Sequence, residues 1–171
     1  MTGPILAVTM GDPAGIGPEI IVKAWTAKRQ GDHPFFVIGD HDLLVGAPGA
    51  GALKLERIAS AEQAASVFSR ALPVLDLPVQ AQVVAGKPSP AHAAAVIRWI
   101  ETASGLALSG AIGGMVTAPI TKAPLYEAGF EFPGHTEFLG ELTRGARRCR
   151  RPCRWRRSGC RRGPRTGSRA A

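Results

Sequence analysis

The chain has 171 residues and a formal charge of +8, from 21 Lys and Arg side chains against 13 Asp and Glu. This charge is unevenly distributed, because residues 144–171 contain 12 arginines and no acidic residue, whereas residues 1–143 carry a formal charge of −4. The sequence shows no basic leader before an apolar stretch and no run of ~20 apolar residues, so it predicts neither a secreted nor a membrane protein. We expect a cytoplasmic protein whose basic character is confined to its last 28 residues.

The N-terminal elements predict a βαβ unit. The apolar run over 5–10 is short and rich in branched residues, which is typical of a strand buried on both faces of a parallel sheet. Pro18 and Glu19 follow it, where the first turn of a helix tolerates proline and favours an acidic side chain. We expect this helix to end near Gly31 and a second buried strand to occupy 35–38.

Alternating strand and helix patterns continue to residue 143 and predict an α/β fold. The further predicted elements are an edge strand over 53–58, a long helix with Ser89 as N-cap and Pro90 at its first position, a buried strand over 111–116, a short helix over 123–128, and a helix over 136–142 with Thr136 as N-cap.

A glycine-rich loop with the sequence GDPAGIGPE occupies residues 11–19, between the first strand and the first helix. Such a loop can present backbone N–H groups and the positive end of a helix to an anion. Its spacing matches neither the G-x-G-x-x-G dinucleotide fingerprint nor the P-loop. A tight strand-to-helix turn explains the same residues, so the loop alone does not predict a nucleotide site.

Two later segments carry candidate ligand-binding side chains. Lys122 ends the segment TAPITK just after a predicted strand, where open α/β sheets bind phosphate or carboxylate ligands; a solvated lysine at a helix start is the alternative. His135 and Thr136 in PGHTEFL place an imidazole and a hydroxyl at a helix start, where they can bind a phosphate or a small polar substrate. A plain N-cap beside a surface histidine is the alternative there. The remaining histidines are expected on the surface or at helix starts: His33, His41 and His92.

The segments MGDPAGIGPE, TAPITK and FPGHTEFL, in this order, resemble the 4-hydroxythreonine-4-phosphate dehydrogenase family of the pyridoxal phosphate pathway. The first segment is also similar to the glycine loop of isocitrate and isopropylmalate dehydrogenases, whose fold this family shares. GKPS at 86–89 fits the same pattern, and the resemblance extends over residues 5–143. It implies part of a two-lobed α/β fold that is incomplete in this chain, with residues 1–143 forming most of one lobe and the start of the second.

The resemblance also implies a function: NAD-dependent oxidation, with decarboxylation, of 4-phosphohydroxy-L-threonine. It implies a divalent metal held by three histidines from both subunits of a homodimer. Of the family's substrate-contacting positions, His135 and Thr136 are present here, and Lys122 is a further candidate for the same pocket. No residue is assigned to catalysis or to NAD.

The chain departs from the family at the metal ligands, because motifs resembling T-H-x-P-L, N-P-H-A-G-E and Y-H-D-Q do not occur in it. No metal site is therefore expected in this chain, and a catalytically inactive fragment, without measurable NAD reduction, is an alternative to the active enzyme. A related dehydrogenase acting on phosphorylated four-carbon sugar acids is a second alternative, because such enzymes share these motifs.

Residues 144–171 contain all three cysteines and no Leu, Ile, Val, Met or Phe, so we expect a disordered Arg-rich tail. Its composition is typical of a GC-rich gene translated in a shifted frame, which resequencing and translation of the other frames would test. An arm that binds nucleic acid in a salt-dependent way is the alternative. Trp155 is its only aromatic residue, so the tail lacks the series of aromatic side chains on which successive bases stack, and we do not expect nucleic acid as a partner.

Overall fold

The computed structural model describes residues 5–28 and 34–144. Within these ranges the strands are β1 (Leu6–Thr9), β2 (Phe35–Gly39), β3 (Leu55–Ile58), β4 (Leu72–Asp76) and β5 (Gly114–Thr117). The α-helices are α1 (Gly17–Lys28), α2 (His41–Val45), α3 (Ala61–Phe68), α4 (Ala93–Ser109), α5 (Lys122–Glu127) and α6 (His135–Leu142). The predicted helix end at Gly31, His33 and the predicted tail after Arg144 lie outside the described residues.

The five strands form one sheet in the order β3-β4-β2-β1-β5. Every neighbouring pair is parallel. Parallel neighbours need crossover connections, and helices lie between consecutive strands along most of the chain. The predicted α/β class is therefore confirmed, and so is the edge position of the strand predicted over 53–58.

The core lies where β2 and β4 are covered by helices. All five residues of β2 are buried, and α3 and α4 both pack against this strand. Trp99 of α4 is fully buried, and its indole Nε1 donates a hydrogen bond of 2.9 Å to the carbonyl oxygen of Leu77. Burial of each large apolar side chain contributes roughly 1.5–3 kcal/mol, so this part of the sheet supplies much of the folding free energy.

Strand β1 departs from its prediction of burial on both faces. Ala7 and Thr9 are buried, whereas Leu6 and Val8 are only half-buried. The neighbours that share the face of Leu6 and Val8 in β5 are Gly114 and Val116, and Val116 is 51% exposed. The prediction was wrong for this face of the sheet. Gly114 has no side chain to pack against Leu6, and no element among the described residues packs over Val116.

Two predicted boundaries also shift. The strand predicted over 111–116 begins only at Gly114, because Ala111 and Ile112 donate their backbone N–H groups to Leu106 at the end of α4. The helix predicted from Ser89 has Ser89 as its N-cap, but its first turn, Pro90–His92, is a 3₁₀ turn before α4. No helix in the described ranges is long and apolar enough to cross a membrane.

Candidate functional site

Three of the segments singled out in the sequence meet at the carboxyl ends of β1 and β5. The backbone N–H of Asp12 in the glycine loop donates a hydrogen bond of 2.9 Å to the carbonyl oxygen of Pro119. In the segment that follows β5, Ala118 donates its N–H to Thr9 at 3.2 Å. The segment GKPS at 86–89, which precedes α4, also contacts the glycine loop, because the N–H of Gly86 donates a hydrogen bond of 2.7 Å to the carbonyl oxygen of Ala14. This edge is where ligands of open parallel sheets bind.

Close packing fixes the glycine loop. Gly17 has no room for a side chain, since a Cβ there would lie 2.1 Å from the carbonyl oxygen of Met10. Gly11 adopts a φ of +76°, and a Cβ there would lie 2.4 Å from the carbonyl oxygen of Pro119. The loop therefore needs glycine at both positions to pass between β1 and the segment after β5.

The loop also uses its own backbone donors. The N–H of Ala14 donates to Asp12 Oδ1 at 3.0 Å, and that of Gly15 donates to the carbonyl oxygen of Asp12 at 3.0 Å. Together with the bond from Asp12 to Pro119, three N–H groups of the loop are satisfied within the protein. This arrangement favours the tight strand-to-helix turn over a cradle for an anion.

Lys122 lies beside the start of α6. It is the first residue of α5, and its side chain is exposed. A Cβ built on Gly134, the N-cap of α6, would lie 3.7 Å from Lys122 Nζ. Within the described residues Lys122 has no carboxylate within 4 Å of its ammonium group. Its charge is thus directed to the N-terminal end of α6 and not neutralised by an ion pair there.

His135, the first residue of α6, lies next to this ammonium group. Its side chain is half-buried, and its Nε2 is a buried atom with no hydrogen-bond partner among the described residues. Burial, and next the positive charge of Lys122, lower the pKa of His135 below its ordinary value. The imidazole is therefore neutral at pH 7, and its unpartnered Nε2 is shielded from solvent.

Thr136 is not the N-cap predicted for α6. Gly134 holds that position, with extended backbone and no side-chain hydrogen bond to the first turn, so the helix begins one residue earlier. The prediction was wrong because a hydroxyl residue before an apolar run is the usual N-cap, whereas glycine also serves as one. Thr136 lies instead in the first turn and is exposed.

The positive groups at this end of α6 have an acidic neighbour. Glu137 is in the first turn of the helix, and its Oε2 would lie 3.2 Å from a Cβ on Gly134. A carboxylate is stabilised at a helix N-terminus for the same reason as a phosphate. An incoming anion at the Gly134 end of α6 therefore has to displace Glu137 from this position.

The structure thus brings Lys122, His135 and Thr136 together at the start of α6. An ammonium group, a neutral imidazole and the first turn of an eight-residue helix suit a phosphate with adjacent hydroxyl groups. The glycine loop reaches the same edge of the sheet through Pro119 but is held by its own contacts.

Comparison with known proteins identifies the family of this chain. The family model described as "Pyridoxal phosphate biosynthetic protein PdxA" matches residues 31–150, which is well over half of the chain. The chain belongs to the PdxA family.

Two curated relatives of this PdxA-family chain carry the same description. It is 61% identical over 146 residues to the 4-hydroxythreonine-4-phosphate dehydrogenase of Caulobacter vibrioides, covering 85% of this chain and 43% of that protein. It is 42% identical over 136 residues to the protein of the same name in Zymomonas mobilis, covering 78% of this chain and 39% of that protein.

The crystal structure of 4-hydroxythreonine-4-phosphate dehydrogenase from Klebsiella pneumoniae superposes on this chain with a TM-score of 0.74 and 35% sequence identity. The match covers 82% of this chain and 45% of that structure. The PdxA-family chain thus spans less than half the length of the curated relatives it matches.

One buried polar side chain was missed in the sequence. His92 was expected on the surface or at a helix start; it does precede α4, but it is only 3% exposed. The apolar residues that follow it, Ala93 and Val96, mark the inward face of α4 and place His92 one turn before Val96 on that face. This periodicity was the available signal for its burial.

Proposed function

We propose that this PdxA-family chain carries the phosphate-binding part of an enzyme that oxidises 4-phosphohydroxy-L-threonine with NAD in pyridoxal phosphate biosynthesis. The observation that carries the proposal is the 61% identity to a protein named 4-hydroxythreonine-4-phosphate dehydrogenase, together with the PdxA family match. The Lys122 ammonium group beside the neutral His135 imidazole supports it, because the substrate named by these relatives is a phosphate ester.

The proposed reaction removes a hydride from the carbon that bears the secondary hydroxyl and transfers it to NAD⁺, while the hydroxyl proton is released. The product is a β-keto acid, which loses its carboxyl group as CO₂ and leaves an aminoketone phosphate. In this scheme Lys122 binds the phosphate through its charge. His135 and Thr136 hydrogen-bond the phosphate or a hydroxyl group and thereby orient the substrate.

The described residues do not form a binding site for the metal ion or for NAD, the two groups that the family implies. Among residues 5–28 and 34–144, no group of three His, Cys, Asp or Glu side chains is placed to hold a metal ion. The glycine loop has neither the dinucleotide spacing nor free N–H groups at Asp12, Ala14 and Gly15. We therefore assign no residue of this chain to a metal ion or to NAD. A homodimer stays a prediction.

Calorimetric titration of the 171-residue chain with 4-phosphohydroxy-L-threonine tests the proposal. We expect saturable binding that is lost with 4-hydroxythreonine, which lacks the phosphate. A phosphorylated four-carbon sugar acid, which lacks the amino group, serves to distinguish the related class of dehydrogenase. Tighter binding of the sugar acid would contradict the proposed substrate.

The Lys122→Met variant tests whether Lys122 contributes to binding of the phosphate. Removal of a charge-assisted contact typically costs about 1.5–3 kcal/mol, so we expect affinity to fall about tenfold or more. Lys54→Met is the matched control, because Lys54 is an exposed lysine just before β3, at the opposite edge of the sheet. Equal losses in the two variants would contradict the assignment of Lys122.

A further inference from the structure

Two short helices supply the proposed phosphate-binding site, and they rest on different parts of the fold. Helix α5, which begins with Lys122, packs against the 3₁₀ turn Pro90–His92. Helix α6, which begins with His135, packs against α4. The spacing between the Lys122 ammonium group and the His135 ring therefore depends on the contacts that join the two helices, because they have no common support.

Tyr126 of α5 makes the polar contact at this junction. Its hydroxyl group donates a hydrogen bond of 3.0 Å to the carbonyl oxygen of Pro133, which lies one residue before the N-cap of α6. In the part of the chain that the structure describes, this is the only hydrogen bond between α5 and residues 131–142. The position of α5 relative to the start of α6 therefore depends on this hydroxyl group.

The same face of α5 carries the lysine. Lys122 lies four residues before Tyr126, so the two side chains share one face of the helix. Tyr126 bonds to Pro133, and Lys122 Nζ lies 3.7 Å from a Cβ built on Gly134, the next residue. The bond from the tyrosine thus holds the beginning of α6 beside the ammonium group.

Aromatic packing supplies the apolar part of the same junction. Phe130, which follows α5, donates its N–H to the carbonyl oxygen of Leu125 at 2.9 Å, and its ring centroid lies 5.2 Å from that of Phe138 in α6. Apolar contacts are not directional, so they hold the helices together without fixing the orientation of the peptide between them. The Tyr126 bond is directional, and it restrains the planar peptide group that joins Pro133 to Gly134.

We propose that Tyr126 is a positioning residue of the phosphate-binding site: through its bond to Pro133 it holds Gly134 and His135 beside the Lys122 ammonium group. Tyr126 acts through the protein and does not bind the phosphate itself. The ligand is that of the proposed function, on which this role rests, whereas the contact between α5 and α6 exists without a ligand.

Tyr126→Phe removes the hydroxyl group and keeps the ring. Because Tyr126 is 46% exposed and the aromatic packing of Phe130 and Phe138 stays in place, we expect the variant to fold. In calorimetric titration of the 171-residue chain with 4-phosphohydroxy-L-threonine, we expect its affinity to fall about two- to tenfold, as for loss of one hydrogen bond, and by less than in Lys122→Met. An affinity equal to that of the wild type would overturn the proposal.

Ser109→Ala is the matched control. The Ser109 hydroxyl group donates a hydrogen bond of 3.0 Å to the carbonyl oxygen of Leu106 at the C-terminal end of α4, so this variant also loses one exposed hydroxyl-to-carbonyl bond. We expect its affinity to equal that of the wild type, and the thermal unfolding midpoints of both variants to stay within about 5 °C of the wild type. Equal losses of affinity in the two variants would contradict a specific role for Tyr126.

A second measurement needs no substrate. Burial, and next the positive charge of Lys122, lower the pKa of His135, so the part of the shift that disappears with Lys122 reports how close the two groups lie. NMR titration would be carried out on the wild type, Tyr126→Phe, Lys122→Met and the double variant. Glu137, the acidic neighbour in the first turn of α6, is the same in all four proteins.

The proposal predicts that Tyr126→Phe raises the pKa of His135 more when Lys122 is present than in the Lys122→Met background. The reason is that loss of the hydroxyl group lets the ammonium group move away from the ring. Equal changes in the two backgrounds, or no change in either, would overturn the proposal.

The two measurements separate failure of this role from failure of the proposed function. If the wild type does not bind 4-phosphohydroxy-L-threonine, the proposed function fails, and the NMR comparison alone decides whether Tyr126 positions α6. If the wild type binds but Tyr126→Phe changes the pKa of His135 equally in both backgrounds, the proposed function stands and the role of Tyr126 fails.

Discussion

The glycine loop and the start of α6 meet the same edge of the sheet but are built differently. The loop is largely buried, its N–H groups at Asp12, Ala14 and Gly15 bond within the protein, and Gly17 is pressed against β1. At the start of α6, by contrast, Lys122 is exposed and His135 has an unpartnered nitrogen. The first region is framework, and the second retains polar groups that a ligand can use.

We expect the largest loss of stability from a substitution at Gly17, where the glycine loop has no space for a side chain. Gly17→Ala places a Cβ 2.1 Å from the carbonyl oxygen of Met10, so the backbone of β1 or of α1 must move. We expect a loss of about 3 kcal/mol or more in the free energy of unfolding, measured by urea denaturation.

Gly105→Ala is the control for this substitution. Gly105 lies in α4, and no atom is found within 4 Å of a Cβ built there. We expect stabilisation by about 0.5–1 kcal/mol, because alanine favours the helix. A Gly17→Ala protein as stable as the wild type would refute the close packing of the loop.

We expect a smaller difference in stability between substitutions at the N-terminal ends of α2 and α6. Asp40 Oδ1 accepts hydrogen bonds from the N–H groups of Asp42 and Leu43, and its Oδ2 accepts one from Val79. Asp40→Ala should therefore lower the free energy of unfolding by about 2 kcal/mol. Thr136→Ala should change it by less than about 0.5 kcal/mol, because Thr136 is exposed and does not cap α6. A loss near 1 kcal/mol in Thr136→Ala would restore Thr136 as the cap.

The smallest effect concerns the pKa of His135. Lys122→Met removes the second cause of its lowered pKa but leaves burial, the larger cause, in place. We expect NMR titration of the full chain to show a pKa that rises in the variant and still stays below about 6.5, the ordinary value. A pKa that does not change would mean that the Lys122 ammonium group is not near the ring.

The same pKa has a consequence for stability. Because the folded-state pKa of His135 is lowered, the unfolded chain binds more protons near and below about pH 6.5. The contribution of neutral His135 is therefore fully present above the unfolded-state pKa and is lost as the pH falls through the folded-state value. His135→Asn should weaken this part of the pH dependence in urea denaturation measured between pH 7 and 5.

Part of the fold could be predicted because its signals are local. The apolar run at β2 and the proline at the start of α1 are such signals, and both elements lie where they were expected. Strand β4 was missed, because Pro73 argues against an interior strand, yet β4 pairs with both β3 and β2. Helix α3 was missed as well, although its buried residues recur at helical spacing and were an available signal: Ala61, Ala64, Val67 and Phe68.

The candidate site could be predicted in its residues but not in its arrangement. Lys122 and His135 stood out as polar groups after a strand and at a helix start. Their proximity depends on how α5 and α6 pack, and the cap at Gly134 carries no sequence signal as clear as a hydroxyl residue. The burial of His92 comes with a hydrogen bond from its Nε2 to the carbonyl oxygen of Gln82, which lies ten residues earlier, and no periodicity encodes that bond.

The central claim is that the start of α6, and not the glycine loop, binds the phosphate group. Amide and histidine NMR signals of the ¹⁵N-labelled full chain, recorded during titration with 4-phosphohydroxy-L-threonine, test it most directly. We expect saturable shifts at His135 and Thr136, absent in Lys122→Met, with little change at Gly15 or Gly17. Shifts centred on the glycine loop, or shifts that persist unchanged in Lys122→Met, would contradict the claim.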